Sequence, residues 1–192
     1  MIYKHKTGIV LRKMAESDLP ELFKLKCDTW MNFHSMAILN FENQLAWYKG
    51  IASSKTDVIM ICEYNGKPVG VCKFDNINSI NRSCEFGRDV YFEYRATPER
   101  IGQLTNDAGV DFAFEIFHVN RLQTEVLSTN VGSLFDVTRG GFIKEGVRKH
   151  AIWKPAGYAD SVMFRLLREE WVELPRVKSY GGVCYESEIY PQ

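Results

Sequence analysis

No excess of positive charge, no closely spaced cysteine pair and no long apolar run occurs in this chain of 192 residues. Each absence closes off a class of protein. Lys plus Arg and Asp plus Glu both number 24, so the formal net charge is zero and the pI is about 6.9. Proteins that bind nucleic acid without regard to sequence draw their affinity from neutralising phosphates and carry a basic surplus. None is present, so nucleic acid is not an expected partner. Five cysteines stand at 27, 62, 72, 84 and 184, an odd number without a C-x-x-C pair. That suits neither a zinc ribbon nor a secreted disulfide framework. Cys62, Cys72 and Cys84 fall in apolar runs, where a free Cys packs as a small hydrophobe, and no metal is expected. The opening MIYKHKTGIVLRK has no apolar signal core, and no stretch approaches about 18 apolar residues. The expectation is a soluble, cytoplasmic protein with no membrane contact.

Internal repeats and low-complexity linkers are also missing, so residues 1–192 are expected to form one domain, with a core over about 7–171 and a tail over 172–192. The composition, 45% hydrophobic and 25% charged, is that of a soluble globular chain able to build one continuous core.

Thr7–Lys13 reads as a strand, and Asp18-Leu-Pro-Glu21 as a capping box with Pro inside the first helical turn. A second helix is expected from Asn40, with Phe41, Leu45 and Tyr48 on one face; the intervening CDTWMNFHSMAIL is aromatic and irregular. Val58–Tyr64 and Val69–Phe74 form a hairpin around Asn65-Gly66, followed by a strand over Cys84–Tyr91. Ile101, Leu104, Ala108, Phe112 and Ile116 mark a long helix, in which Gly109 requires a packing reason because it costs about 1 kcal/mol against Ala. Arg121–Leu127 is a strand, Val131–Arg139 a short helix, and Phe142–Ala151 and Asp160–Leu167 are the last strands. The order β-α-α-β-β-β-α-β-α-β-β gives an α/β (mixed α+β) chain with a central mixed, mostly antiparallel sheet flanked by helices.

Three local patterns occur in this frame: Glu85-Phe86-Gly87 in a strand; Asn120-Arg-Leu-Gln-Thr-Glu-Val-Leu-Ser-Thr-Asn130 with Ser133, Arg139 and Gly141-Phe142; and Glu145-Gly146, Arg148, Gly157-Tyr158-Ala-Asp160 and Glu170-Trp171. Together they resemble the GNAT superfamily, in its branch of ribosomal-protein-alanine, polyamine and amino-sugar acetyltransferases. The likeness runs from about Thr7 to Trp171 and is strongest after Arg121.

The resemblance implies a GNAT fold and acetyl-CoA as co-substrate, with no metal. In such proteins two strands splay apart and the pantetheine arm pairs with the exposed backbone, here around Val90, Tyr91 and Phe92. The pyrophosphate sits at the start of the following helix, where unpaired N–H groups favour an anion. Alignment gives that place to Arg95, Arg100, Ile101, Gly102 and Gln103, although Arg100 stands where the family has its first phosphate-loop glycine and Arg95-Ala-Thr-Pro-Glu99 lengthens the approach. Both arginines read equally as surface residues. Asn130 matches an asparagine that touches the cofactor and also fits an N-cap. Arg139 belongs to the same cofactor pattern.

Glu85 matches the carboxylate that deprotonates the incoming ammonium, a step required because an amine of pKa near 10 is not nucleophilic at neutral pH. Its other reading is a solvated strand residue. A tyrosine that protonates the departing thiolate in many relatives is replaced here by Val137. Ser133 or Tyr158 is left as a hydroxyl, and a thiol of ordinary pKa leaves without such help, more slowly. Trp30, Phe33 and His34 fall where relatives shape the acceptor pocket; His34 also fits a structural role. The expected reaction moves acetyl to the primary amine of a small molecule, an amino sugar or a polyamine. The competing readings are a protein N-terminus as acceptor, or a binding domain without catalysis. A monomer or homodimer is expected.

Overall fold

The computed structural model describes residues 1–34, 40–95 and 97–185. Positions 35–39 of the aromatic stretch, 96 in the lengthened loop and 186–192 of the tail lie outside the described residues. One eight-stranded sheet carries the fold. Its strands are β1 (Ile2–Lys4), β2 (Ile9–Lys13), β3 (Val58–Tyr64), β4 (Lys67–Asn78), β5 (Ser83–Val90), β6 (Arg121–Leu127), β7 (Ile143–Lys154) and β8 (Gly157–Leu167). They lie in the order β1-β2-β3-β4-β5-β6-β8-β7. All neighbours are antiparallel except β5 and β6. The mixed, mostly antiparallel sheet is therefore as expected, with β1 as an addition too short to announce itself.

Helices α1 (Leu19–Thr29) and α2 (Phe41–Ser53) cover one face, and α3 (Ile101–Ile116) covers the other. Because both faces are covered, β3 and the middle of β4 read as continuous apolar runs rather than alternating ones. Asn65 (φ 50°) and Gly66 (φ 73°) turn β3 into β4, the left-handed pair that a two-residue hairpin requires. On the α3 face Phe74, Phe112 and Phe117 meet with ring centroids 5.0–5.3 Å apart. Gly109 has its reason here. A Cβ at this position would lie 2.6 Å from the Phe86 ring and 2.7 Å from Cys72 Sγ, so the missing side chain lets α3 lie on β4 and β5. Gly109→Val is expected to lower stability by about 1–3 kcal/mol through overpacking. A urea midpoint equal to that of the parent would reject this account.

Two local expectations need correcting. The Asp18-to-Glu21 capping box does not form. Asp18 accepts from the Ala15 N–H (2.8 Å) and from both Arg12 terminal nitrogens (2.7 Å each), so its carboxylate points back toward β2. In α2, Asn40 does cap, accepting from the Asn43 N–H at 2.7 Å, but the buried side chain is Gln44. Phe41 stays exposed with its edge on Phe23.

The tail covers the core. Helices α4 (Val131–Arg139), α5 (Arg168–Trp171) and α6 (Pro175–Ser179) complete the described elements, and Trp171 stacks on Phe114 at 5.0 Å. Val177 and Cys184 of the tail are buried against the core, and Tyr185 bridges to His5. No described helix is long and apolar enough to cross a membrane.

Candidate functional site

β5 and β6 pair through three positions only: Ser83 with Arg121, Cys84 with Leu122 and Glu85 with Gln123. Beyond Glu85 they follow different partners, β5 staying with β4 as far as Val90 and β6 with β8 as far as Leu127. The β6-side edge of β5 from Phe86 to Val90 thus has no strand opposite it among the described residues. Into this parting opens a cleft of ≈ 830 Å³ that passes from the α3 and α4 side of the sheet to the α1 and α2 side.

On the α3 side, Arg88 of β5 reaches across the cleft to an ion pair with Asp136 of α4. Gly102, in the first turn of α3, lies beneath them: a Cβ there would sit 3.1 Å from Asp136 Oδ2, so only hydrogen fits comfortably. Asn106, one turn on, lines the cleft at 0% exposure, and neither its side-chain oxygen nor its nitrogen finds a partner among the described residues. An orphaned buried amide costs about 1–3 kcal/mol, which a ligand carrying amide groups would recover. Asn130 accepts from the Ser133 N–H (3.2 Å), capping α4 while also lining the cleft, as does Ser133. These features fit a long ligand with amides in its arm and phosphates at its end.

Of the residues singled out from sequence, Trp30, Phe33, His34, Phe86, Gly87, Val90, Arg95, Gly102, Asn130, Ser133 and Val137 line the cleft. The others do not. Glu85 sits at the last joined pair, exposed, with Gln123 Nε2 donating to it at 3.4 Å. Tyr91 is buried with Leu22 and Leu25 under α1, while Phe92 is 72% exposed. The open backbone edge therefore reaches Val90 but not Tyr91 and Phe92, because β5 ends at Val90 and a single 3-10 turn follows. Arg100 is exposed with φ 58° at the start of α3, Ile101 is buried, and Gln103 donates to Asp107 at 2.8 Å. Arg139 and Tyr158 are exposed away from the cleft. Arg95 is spoken for, with Nη2 on Asp89 (3.0 Å) and Nε on the Val90 carbonyl (3.1 Å).

Residues that the sequence did not single out complete the site on the α1 and α2 side. Ser161 Oγ donates to Glu125 Oε2 at 2.9 Å and meets His34 Nε2, also at 2.9 Å. Since the hydroxyl hydrogen goes to the carboxylate, its oxygen accepts from Nε2–H, and Nδ1 of the imidazole remains the basic nitrogen. Burial lowers the His34 pKa; Glu125 opposes this and Lys154 and Arg148 reinforce it, so the ring is neutral near pH 7. Lys26 of α1 lies over the Trp47 ring (3.6 Å to the centroid) and donates to Gln44 Oε1 at 2.9 Å. Burial, with Lys73 nearby, lowers its pKa to about 8. A signal for Glu125 exists in Arg121-Leu-Gln-Thr-Glu-Val-Leu, where polar residues alternate with buried ones and so share the face away from the core.

The family model for the acetyltransferase (GNAT) domain matches residues 9–143. A putative ribosomal N-acetyltransferase of Bacillus subtilis, YdaF, is 27% identical over 110 residues, 56% of this chain and 58% of that protein. The match thus spans little more than half the length of that relative. Among solved structures, spermidine N-acetyltransferase of Vibrio cholerae in complex with CoA and spermine superposes with a TM-score of 0.81 at 17% identity, covering 87% of this chain and 99% of the other. A dodecameric form of the Vibrio enzyme gives 0.75 at 18% identity, covering 89% and 99%.

Proposed function

This chain belongs to the GNAT acetyltransferase family, and we propose that it moves an acetyl group from acetyl-CoA to the primary amine of a small molecule. The observation that carries this reading is the parting of β5 and β6, which leaves the backbone of Phe86–Val90 facing a cleft that runs through the sheet. Acetyl-CoA supplies the activated acetyl thioester. The open edge of β5 with Asn106 and Asn130 would hold the amide-bearing arm. Arg88, released from Asp136, would pair with phosphate beside Gly102 and the first turn of α3. On the far side His34 takes the proton of the ammonium through Nδ1, in the role expected of Glu85, while Ser161 and Glu125 hold the ring. Val137 is buried and holds no proton to give, so Ser133 is the cleft hydroxyl nearest that duty.

The spermidine-acetylating neighbours favour a polyamine acceptor, and the Bacillus relative favours a protein N-terminus. Lys26, which lines the acceptor side without an ion pair among the described residues, repels a polycation and speaks for an acceptor of the amino-sugar kind.

Calorimetry tests the first step. Acetyl-CoA is expected to bind, and Arg88→Ala to weaken it about tenfold, the worth of one charge-assisted hydrogen bond. No binding at millimolar acetyl-CoA would remove the enzyme reading in favour of a binding domain. Thiol release against a panel of amino sugars, polyamines and N-terminal peptides then sorts the acceptors.

A further inference from the structure

We infer that the acceptor carries an anionic oxygen group, a carboxylate or a phosphate, which Lys26 and Gln44 recognise at the α1 and α2 end of the cleft. The inference rests on the acyl-transfer reading and adds the charge of the substrate to it. Lys26 forms no ion pair among the described residues, and its one hydrogen-bond acceptor is the neutral Gln44 Oε1. Because that oxygen must face the ammonium, the orientation of the Gln44 amide is fixed. Its Nε2 is turned the other way, buried and without a partner among the described residues. An ammonium with one neutral acceptor thus lines one end of the cleft, beside an amide whose N–H is buried without a partner among the described residues.

The surroundings explain why a neutral or cationic ligand suits this place poorly. Trp47 holds the ammonium over its ring, fixing its position without neutralising it. Lys73 also lines the cleft, but its charge is met by Asp75 at 2.7 Å. Each carboxylate of the cleft has a cationic partner: Asp136 has Arg88, Glu125 has Arg148, and Asp89 has Arg95 on Oδ1, its Oδ2 being buried without a partner among the described residues. Among the described residues that line the cleft, Lys26 is the charged side chain left without an oppositely charged partner. An oxyanion accepting from both Lys26 and Gln44 would satisfy two donors that the protein itself leaves wanting.

The test uses matched ligands titrated into the full chain by calorimetry, without acetyl-CoA. One set is 4-aminobutyrate, 4-aminobutanamide and 1,4-diaminobutane, which share a chain and an amine and differ in the charge of the other end. The second is glucosamine 6-phosphate against glucosamine, so that the two sets separate carboxylate from phosphate. In at least one set the anionic member is expected to bind about tenfold tighter than its neutral counterpart, with the diamine weakest of its set. Lys26→Met should erase the preference while leaving the Kd for acetyl-CoA unchanged. Gln44→Glu, which turns the ammonium into an ion pair, should do the same. If the diamine binds as well as the carboxylate and the phosphate gains nothing, or if no member of either set binds at millimolar concentration, the inference is overturned. Failure of acetyl-CoA to bind, measured separately, would instead remove the acyl-transfer reading.

Discussion

Asp111→Ala is expected to cost about 3–5 kcal/mol, the loss typical of stripping one partner from a buried charge network. Asp111 lies in α3 with its side chain fully buried. It accepts from Trp171 Nε1 (2.7 Å), Arg176 Nη2 (2.8 Å) and His5 Nε2 (3.1 Å), three residues remote in sequence. The His5 tautomer follows from its other nitrogen, which accepts from the Thr7 N–H (3.2 Å) and leaves Nε2 as the donor. Removing the carboxylate strands two N–H donors, leaves the buried Arg176 guanidinium with only Asp107 at 3.7 Å and the Gly140 carbonyl at 3.1 Å, and loosens the seat of Trp171 and α6. The loss should appear in a denaturant melt, together with faster proteolysis after residue 171. A cost below 1 kcal/mol would show that the tail is held by apolar packing alone.

The same network fixes a sign for acid. Burial pushes the Asp111 carboxyl up, but the His5 hydrogen bond and Arg176 more than offset it, leaving it below the ordinary carboxylate value. A depressed carboxylate contributes its stability in full above the unfolded pKa and loses it as pH falls through the folded one. The deficit of Asp111→Ala should therefore be constant near neutrality and shrink only in strong acid. His5, Asp111 and Cys184 also lie within 4.8 Å of one another, but Arg176 already occupies the carboxylate with a positive charge, which opposes a cation there.

Local signals carried much of the fold. β3, β6 and α4 start and stop where the sequence placed them, because an Asn-Gly turn, an alternating run and an asparagine cap are written within a few residues. Longer-range features were not legible in that way. Tail coverage depends on Asp111 meeting Trp171 and Arg176, a contact across more than half of α3-to-α6 that no local pattern announces. The site divides similarly. Asn130, Ser133, Gly102 and His34 line the cleft and are legible in sequence because their neighbours form a pattern. Arg88, Asp136 and Lys26 were missed because each acquires meaning only from a partner on another element. Glu85 was chosen by its place in the strand motif. That place falls just before β5 and β6 separate, so the side chain stays outside the cleft.

His34→Ala is expected to lower kcat by about 10²–10⁴-fold, the usual worth of a positioned general base, with the KM for acetyl-CoA little changed because the ring stands on the acceptor side. The pH profile separates this role from a merely structural one. Charged and titratable groups facing the ring are Glu125 from β6 and Arg148 and Lys154 from β7. Burial and the two cations outweigh Glu125, so the ring keeps its neutral, proton-accepting form to a pH below the ordinary histidine value of about 6.5. The acid limb of kcat should lie there. Glu125→Gln removes the one influence that raises the pKa, so it should push the limb further toward acid. A Glu125 acting only as a structural brace would lower the rate without moving the limb. Glu85→Gln supplies the opposing case. Its carboxylate is exposed and outside the cleft, so near-parental activity is expected; a hundredfold loss there, with His34→Ala spared, would return the proton to Glu85.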